Sequence, residues 1–392
     1  MIPFDEAYGI VMKEARCLDA ERVDLAQTLG RVLAEDVKSD MDMPPFDKSV
    51  MDGYACRRSD LGNELLVVET IAAGARPAKS IRQNECAKIM TGAMVPDGAD
   101  CVIMVEDTRQ TGENTIKFME EKTSNNICRK GEDIRDGAIV LRKGVRIEPQ
   151  HIGVLATVGC SKPLVVRRPK VGIIATGNEL VESATKPGVS QIRNSNSIQL
   201  CAQVKSVGAL PKYYGISPDT VDGIDSAVRK AASDCDVILL SGGVSMGDLD
   251  LVPGVLKQNG IRLLFERVAV KPGKPTVFGV AEKFFCFGLP GNPVSAFVIF
   301  EIMVKPFLFK MMGHDFQPTV MKMRLERDIS RKNADRDLWQ PVRRTAAGGV
   351  ASVEYHGSAH QTALCEADGL VLIPRGALEI AEGTIVDVRS FR

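Results

Sequence analysis

The sequence predicts an α/β multidomain protein. It has a doubly wound, mostly parallel sheet domain, a helical N-terminal part, a small β domain and a C-terminal β barrel. Three observations carry this. From about residue 168 to 312, strand-like apolar runs alternate with helix-like stretches, the signature of a parallel sheet wound by helices. From about 41 to 140 the apolar runs are short and broken by Gly, Pro, Asn and Asp, as in Leu65–Val68, Ala87–Met90 and Cys101–Val105. Residues 313–392 return to short strands and turns, the texture of a barrel or sandwich. The remaining segments, 1–40 and 141–167, form a fourth, helical or mixed part. With 392 residues the chain has room for roughly two to four domains.

In chain order, Ala7, Ile10, Val11 and Ala15 approximate one face of a first helix, and a second apolar run over 28–37 predicts another. In the sheet domain VGIIAT (171–176) is a strand ending at Gly177, followed by a helix over about 195–207 that stops before Gly208. Ser217-Pro218-Asp219 predicts a capped helix start. The apolar run 237–240 is a strand, and a short helix from Leu251 closes at Asn259-Gly260. FFCFGL (284–289) is the next strand. Asn292-Pro293 then opens a long apolar helix, with Asn292 as cap and proline at the first position.

Composition excludes several classes. Lysine plus arginine equals aspartate plus glutamate, 50 against 50, which leaves no global field for nucleic acid or a membrane surface. The N-terminus carries Asp5 and Glu6 where a secretory signal would be basic and then apolar. No apolar run is long enough to span a bilayer. The ten cysteines are scattered, mostly within apolar runs such as those at Cys101, Cys160 and Cys286. Buried thiols in a reducing cytoplasm account for them better than a zinc site.

An open parallel sheet binds ligands at the carboxyl ends of its strands. Three such ends are polar and rich in Gly or Pro: Thr176-Gly177-Asn178-Glu179, the loop from Ser241 through Gly242, Gly243 and Ser245 to Asp250, and Gly288-Leu289-Pro290-Gly291-Asn292-Pro293. Asn194 and Ser195 stand at the head of the helix after the first. Exposed amides and helix N-termini favour an anion there. A fourth element, residues 266–275, reads as a strand with Arg267, Ala269 and Lys271 on one face, then a stiff Pro-Gly turn presenting Lys271 and Lys274. The same lysines would also suit a solvated hairpin tip. Carboxylates among these cations point to a hard divalent ion such as Mg²⁺, with Asp248, Asp250 and Glu179 as candidates, although Asp248 and Asp250 would also serve as helix caps. By local chemistry alone the PPFDKSVMDGYA stretch (44–55) is a rigid lead-in to a turn at Asp52-Gly53, and Thr91 begins a similar turn.

PPFDKSVMDGYA, TGAMVPDGAD, RKGEDI, ATGNEL, SGGVSMGD, KPGKP and LPGNPVSA occur in this order, with HGSAHQTALCEADGLVLIP (356–374) near the end. Together they resemble the molybdopterin molybdotransferases of molybdenum-cofactor biosynthesis, including the E domain of gephyrin. The resemblance spans the chain. It implies an elongated homodimer of four-part subunits whose sheet domain shares the fold of molybdopterin adenylyltransferases. It implies Mg²⁺-dependent cleavage of adenylylated molybdopterin with molybdate, releasing AMP. The active site would lie between the sheet domain of one subunit and the Asp52 region of the other.

Carried over by motif, Asp52, Glu179 and Asp250 would surround metal and phosphate, with Thr91 in the same cleft. Ser241, Gly242, Gly243, Ser245, Pro290, Gly291, Asn292 and Ser295 would hold the pterin and its phosphate, beside Thr176, Gly177, Asn178, Asn194 and Ser195. Lys271, Lys274 and Arg267 would face molybdate and the anhydride, and Ser358 would reach the oxyanion. The chain departs from the family pattern at Arg267 and at Ser358-Ala359-His360-Gln361. The resemblance also implies contact with a molybdopterin adenylyltransferase and with molybdoenzyme chaperones. Two other functions compete: molybdopterin adenylylation by the sheet domain, and a scaffold like gephyrin. Residues 1–150 and 313–392 exceed what adenylylation needs, and the extra domain and long linker of the scaffold are missing from this sequence.

Overall fold

Helix α1 (Phe4–Glu14) buries Phe4, Ala7 and Val11, and these three share a core with the main sheet and its helices. The apolar run 28–37 is not a helix, as its composition had suggested. Gly30 takes a positive φ of 75°, and Val32 and Leu33 bridge to Arg146 and Val165 as extended chain. Neighbouring residues 32 and 33 therefore meet different segments, which a helix could not arrange. The structure, a computed structural model, describes residues 1–244, 251–354 and 357–391.

The next segment forms a six-stranded sheet. Its strands are β1 (Gly53–Cys56), β2 (Glu64–Ile71), β3 (Glu85–Ile89), β4 (Cys101–Met104), β5 (Thr108–Gln110) and β6 (Thr115–Phe118), in the order β4-β1-β3-β2-β6-β5. Cys56 on β1 pairs with Cys86 on one side and Cys101 on the other. The three thiols are free and buried. Helix α2 (Pro149–Thr157) follows, capped by Glu148 and His151.

The central sheet is built from β7 (Lys170–Thr176), β8 (Leu210–Ser217), β9 (Val237–Ser241), β10 (Arg262–Phe265), β12 (Val277–Val280) and β13 (Phe285–Leu289), with β11 (Val270–Lys271) lying outside it. Its order is β8-β7-β9-β13-β12-β10. The first four strands are parallel, and β12 and β10 add antiparallel pairs. Helices α3 (Asn196–Ser206), α4 (Val221–Ala232), α5 (Val252–Gln258), α6 (Pro293–Ile299) and α7 (Lys305–Met311) flank it. Side chains alternate into two cores: Val171, Ile173, Val237 and Leu239 face α3, α6 and α7, whereas Ile174, Ile238 and Leu240 face α4 and α5.

Several local expectations are corrected. Helix α4 starts later than Ser217-Pro218-Asp219 suggests: Thr220 is the cap, its hydroxyl accepting from the Gly223 N–H. The long helix after Asn292 is interrupted by a π-type turn over Phe300–Val304, where the Lys305 N–H reaches back to the Phe300 carbonyl. Pro306 has no N–H and crowds the preceding turn, and the widened ladder makes room for it. Residues 266–271 do not alternate. Val268, Ala269 and Val270 are buried in succession, with Val268 bridging Ile2 and β11 pairing with Asp337–Leu338. Glu266 and Lys271 are exposed and Arg267 is half-buried.

The last sheet comprises β11 with β14 (Val320–Arg324), β15 (Asp337–Arg344), β16 (Val350–Ser352), β17 (Gly369–Ile373) and β18 (Ile385–Ser390), in the order β11-β15-β17-β18-β14, with β16 on β15. A bridge from Leu325 to Val350 returns the end of β14 towards β16, so the sheet curls around Leu325, Val342, Val350, Val371 and Val388.

Candidate active site

A cavity of about 580 Å³ opens at the carboxyl ends of β7, β9 and β13. The loops that predicted a site converge here, because parallel strands of similar length end together at one edge. Thr176, Gly177 and Glu179 line it from β7, Ser241, Gly242 and Gly243 from β9, and Pro290, Gly291 and Asn292 from β13. Asn194 and Ser195 line it from the head of α3.

Two glycines hold positive φ at this edge, and at Gly242 backbone contact also excludes a side chain. Gly242 has φ +98°, and a Cβ there would lie 2.4 Å from the Thr176 carbonyl oxygen. Gly177 has φ +150°, and its Cβ would meet the Glu179 carboxylate at 2.6 Å. The Glu179 side chain thus folds back over its own turn, at the cavity wall.

Asn196 ties the loops together. Its amide donates to Ser241 Oγ at 2.8 Å and to the Gly291 carbonyl at 2.7 Å. Its Oδ1 is buried and has no protein partner, and neither has Thr176 Oγ1. Buried polar atoms are normally satisfied, so these orphans on the cavity wall mark places where a ligand bonds. Asn194 differs: its amide donates to Ser197 Oγ and Tyr213 OH, and its Oδ1 accepts from the Ser197 N–H. Asn178 is engaged with Asp219, each backbone N–H donating to the other's side chain. Ser295 is buried in α6 and does not line the cavity.

The C-terminal segment closes one side. Asn292 makes no cap bond; its amide donates to Ser358 Oγ at 2.7 Å, and the Val294 N–H donates to the Ser358 carbonyl. Ala359 lines the cavity. On another side Pro275 reaches the wall, next to Lys274. Lys271 and Lys274 are exposed and make no ion pair among the described residues, and neither they nor Arg267 line the cavity itself.

Asp52 and Thr91 stand together in the small β sheet's turns, away from this wall. The Thr91 N–H and hydroxyl both donate to Asp52 Oδ1, at 2.6 and 2.9 Å, and hold its carboxyl below the usual aspartate range. Among the described residues no group of three or more His, Cys, Asp or Glu is arranged to hold a metal ion. Ser245, Asp248 and Asp250 lie outside the described residues. Sequence reading passed over Arg193, Asn196 and Asp219 as site residues. Arg193 and Asp219 bring charge to the cavity wall, and Asp219 Oδ1 is buried without a partner. Their signal was weak: Arg193 and Asn196 sit beside chosen residues, and Asp219 stood only within the expected helix start at Ser217-Pro218-Asp219.

Three family descriptions match the chain: the MoeA N-terminal region (domain I and II) over residues 2–159, the "Probable molybdopterin binding domain" over 172–310, and the MoeA C-terminal region (domain IV) over 322–391. The molybdopterin molybdenumtransferase of Bacillus subtilis (strain 168) is 35% identical over 405 residues, covering 100% of this chain and 94% of its own. The chain belongs to the MoeA family. A molybdopterin molybdenumtransferase of Staphylococcus epidermidis is likewise 35% identical, over 99% of this chain and 95% of its own. The crystal structure of the MoeA protein of Pyrococcus horikoshii OT3 superposes with a TM-score of 0.87 at 31% identity, covering all of both chains. In MoeA-family terms, the cavity lies within the stretch matched by the molybdopterin-binding description, and Asp52 and Thr91 within the N-terminal region.

Proposed function

We propose that this chain is a transferase that inserts molybdenum into molybdopterin. It takes adenylylated molybdopterin and molybdate, cleaves the adenylate and releases AMP. Membership of a family whose curated relatives are named molybdopterin molybdenumtransferase supports the transfer. The observation that carries the reading to this site is the glycine-lined cavity with three orphaned polar atoms, Thr176 Oγ1, Asn196 Oδ1 and Asp219 Oδ1.

The physical task is to bring a molybdate dianion against an anionic anhydride. Two unit charges about 4 Å apart interact by about 4 kcal/mol at an effective dielectric of about 20. Arg193 at the wall, with Lys271 and Lys274 on the loop that ends at Pro275, offsets that repulsion and steadies the leaving phosphate. The Ser241–Gly243 and Pro290–Asn292 turns orient pterin and phosphate. Glu179 offers hard oxygen donors that fit Mg²⁺, alongside Asp52 and Asp250; when bound, the ion would neutralise charge on phosphate oxygens.

Asp52 and Thr91 are missing from the cavity wall of their own chain. In this reading a second copy supplies them, and the active unit is a homodimer with sites between subunits. The setting is the cytoplasm, with contact to a molybdopterin adenylyltransferase and to molybdoenzyme chaperones. No helix among the described residues is long and apolar enough to cross a membrane.

The test is AMP release from adenylylated molybdopterin by the purified protein. Release that requires both molybdate and Mg²⁺ is expected. Absence of turnover, or formation of adenylylated molybdopterin from ATP and molybdopterin without molybdate, would overturn the reading. Mixed Asp52→Ala and Glu179→Ala subunits should regain activity after exchange; no recovery would remove the shared site.

A further inference from the structure

At the opposite edge of the central sheet is a second charged cleft. A cavity of about 460 Å³ is lined by Arg146, Arg168 and Lys205, with Gly30, Ser206 and Leu210 among its other walls. Among the described residues no carboxylate lines it. A neighbouring cavity of about 440 Å³ shares Arg168 and Leu210 and adds Arg31, Arg167 and Lys170 against Glu21. β7 spans Lys170–Thr176, so at about 3.3 Å per residue this edge is about 20 Å from the catalytic cavity.

Some of these cations are already matched. Arg167 makes a two-pronged pair with Asp236, at 2.8 and 2.6 Å, and Arg31 pairs with Glu21 and donates to the Val166 carbonyl. Arg168, Arg146 and Lys205 make no ion pair among the described residues. The Nε atoms of Arg146 and Arg168 are buried without partners. Arg146 lays one face on the Phe309 ring, 5.5 Å from its centre, and a Cβ on Gly30 would lie 3.9 Å from its Nη2. Burial, and then the nearby Arg31, push the Arg168 guanidinium below its ordinary range. Like charges held together in partial burial are costly unless an anion joins them.

The end of α3 opposes this only in part, because three of its last carbonyls are already hydrogen-bonded. Its C-terminal carbonyls would repel an anion if free. The Ser206 hydroxyl donates to the Gln203 carbonyl, the Gly208 N–H to Lys205, and the Ala209 N–H to Val204. At the rim Leu29 and Leu210 are exposed at 55% and 44%, an apolar shelf for whatever the anion carries.

We infer that this cleft is a binding site for a phosphate group, carried by inorganic phosphate or by a phosphate monoester. The group bridges Arg146 on the segment before α2 to Arg168 at the sheet's edge and Lys205 in the last turn of α3, and so clamps these parts together.

The test titrates the full-length protein with inorganic phosphate and with AMP by calorimetry, ionic strength held constant with chloride. Saturable binding is expected. Lys205→Gln and Arg168→Gln should each weaken it about tenfold, the worth of one charge-assisted contact. Lys271→Ala, at the other site, should leave that component intact. Tighter binding of AMP assigns the shelf of Leu29 and Leu210 to a monoester, and equal affinities assign the site to free phosphate; either supports the site. Lys205 is exposed on a helix, so Lys205→Gln keeps the test valid if Arg168→Gln fails to fold. No saturable binding by the unaltered protein, or binding unchanged in Lys205→Gln, would overturn the proposal.

Discussion

The side-chain amide of Asn292 donates to the Ser358 hydroxyl across 2.7 Å, linking the loop after β13 to the C-terminal part. Sequence logic gives Asn292 the role of helix cap. The fold spends it on holding the segment that carries Ala359 to the cavity wall.

Asn292→Ala should therefore leave stability within about 1 kcal/mol, because the pair is partly solvated. Its effect belongs on substrate binding: KM for adenylylated molybdopterin should rise about fivefold with kcat little changed. Steady-state kinetics on the variant check this, and a kcat loss with unchanged KM would contradict it.

Asn196→Ala removes a buried amide from Ser241 Oγ and the Gly291 carbonyl. Leaving those acceptors unsatisfied should cost about 1–3 kcal/mol, read as a lower denaturant midpoint at unchanged slope. Activity should fall by more than the loss of folded protein explains.

Gly242→Ala places a Cβ against the Thr176 backbone at a positive φ. Neither contact partner is a flexible side-chain tip, so the loop must move. About 1–3 kcal/mol of destabilisation and loss of AMP release are expected, measured by thermal melting and turnover on the same sample.

Asp52 is held below the ordinary aspartate range by the Thr91 N–H first and the Thr91 hydroxyl second. Its charged form, and the stabilisation from these bonds, is present above the unfolded aspartate pKa and is lost as pH falls through the lower folded value. Thr91→Val deletes the hydroxyl donor and raises that value. The acid limb of the pH–activity profile should move to higher pH, with the basic limb unmoved.

The cysteines should divide by burial. Burial pushes Cys86 up to about 12 and raises Cys286 further, and both Cys56 and Cys101 are enclosed beside each other with sulfurs 3.7 Å apart. Raised pKa values keep Cys86 and Cys286 protonated and unreactive at neutral pH, whereas Cys101, lowered by its hydrogen bond with Cys56, is protected by burial alone. Cys17 and Cys365 are exposed. A thiol reagent followed by peptide mapping should label these two first and reach Cys56, Cys86, Cys101 and Cys286 only on unfolding.

The alternation of apolar and polar runs was enough to place β7, β9 and β13 and the helices between them, because period two and period 3.6 are local properties of a chain, but it did not single out β8, β10 or β12. The same holds for the three glycine-rich loops at the strand ends, whose composition announces close backbone approach. Local pattern failed where distant segments decide. Residues 28–37 look helical alone and become extended because Arg146 and Val165 pair with them. Val268 to Val270 lose their alternation because Ile2 lies on one side and Asp337 on another. Arg193 and Asp219 join the cavity, and Asn292 finds Ser358, only when strands far apart in sequence end at one edge. Periodicity and turn chemistry act over a few residues, so the sequence alone determined the parallel strands β7, β9 and β13 and the loops that follow them. Which polar atoms meet across those loops, and which stay unpaired for a ligand, was decided by tertiary packing.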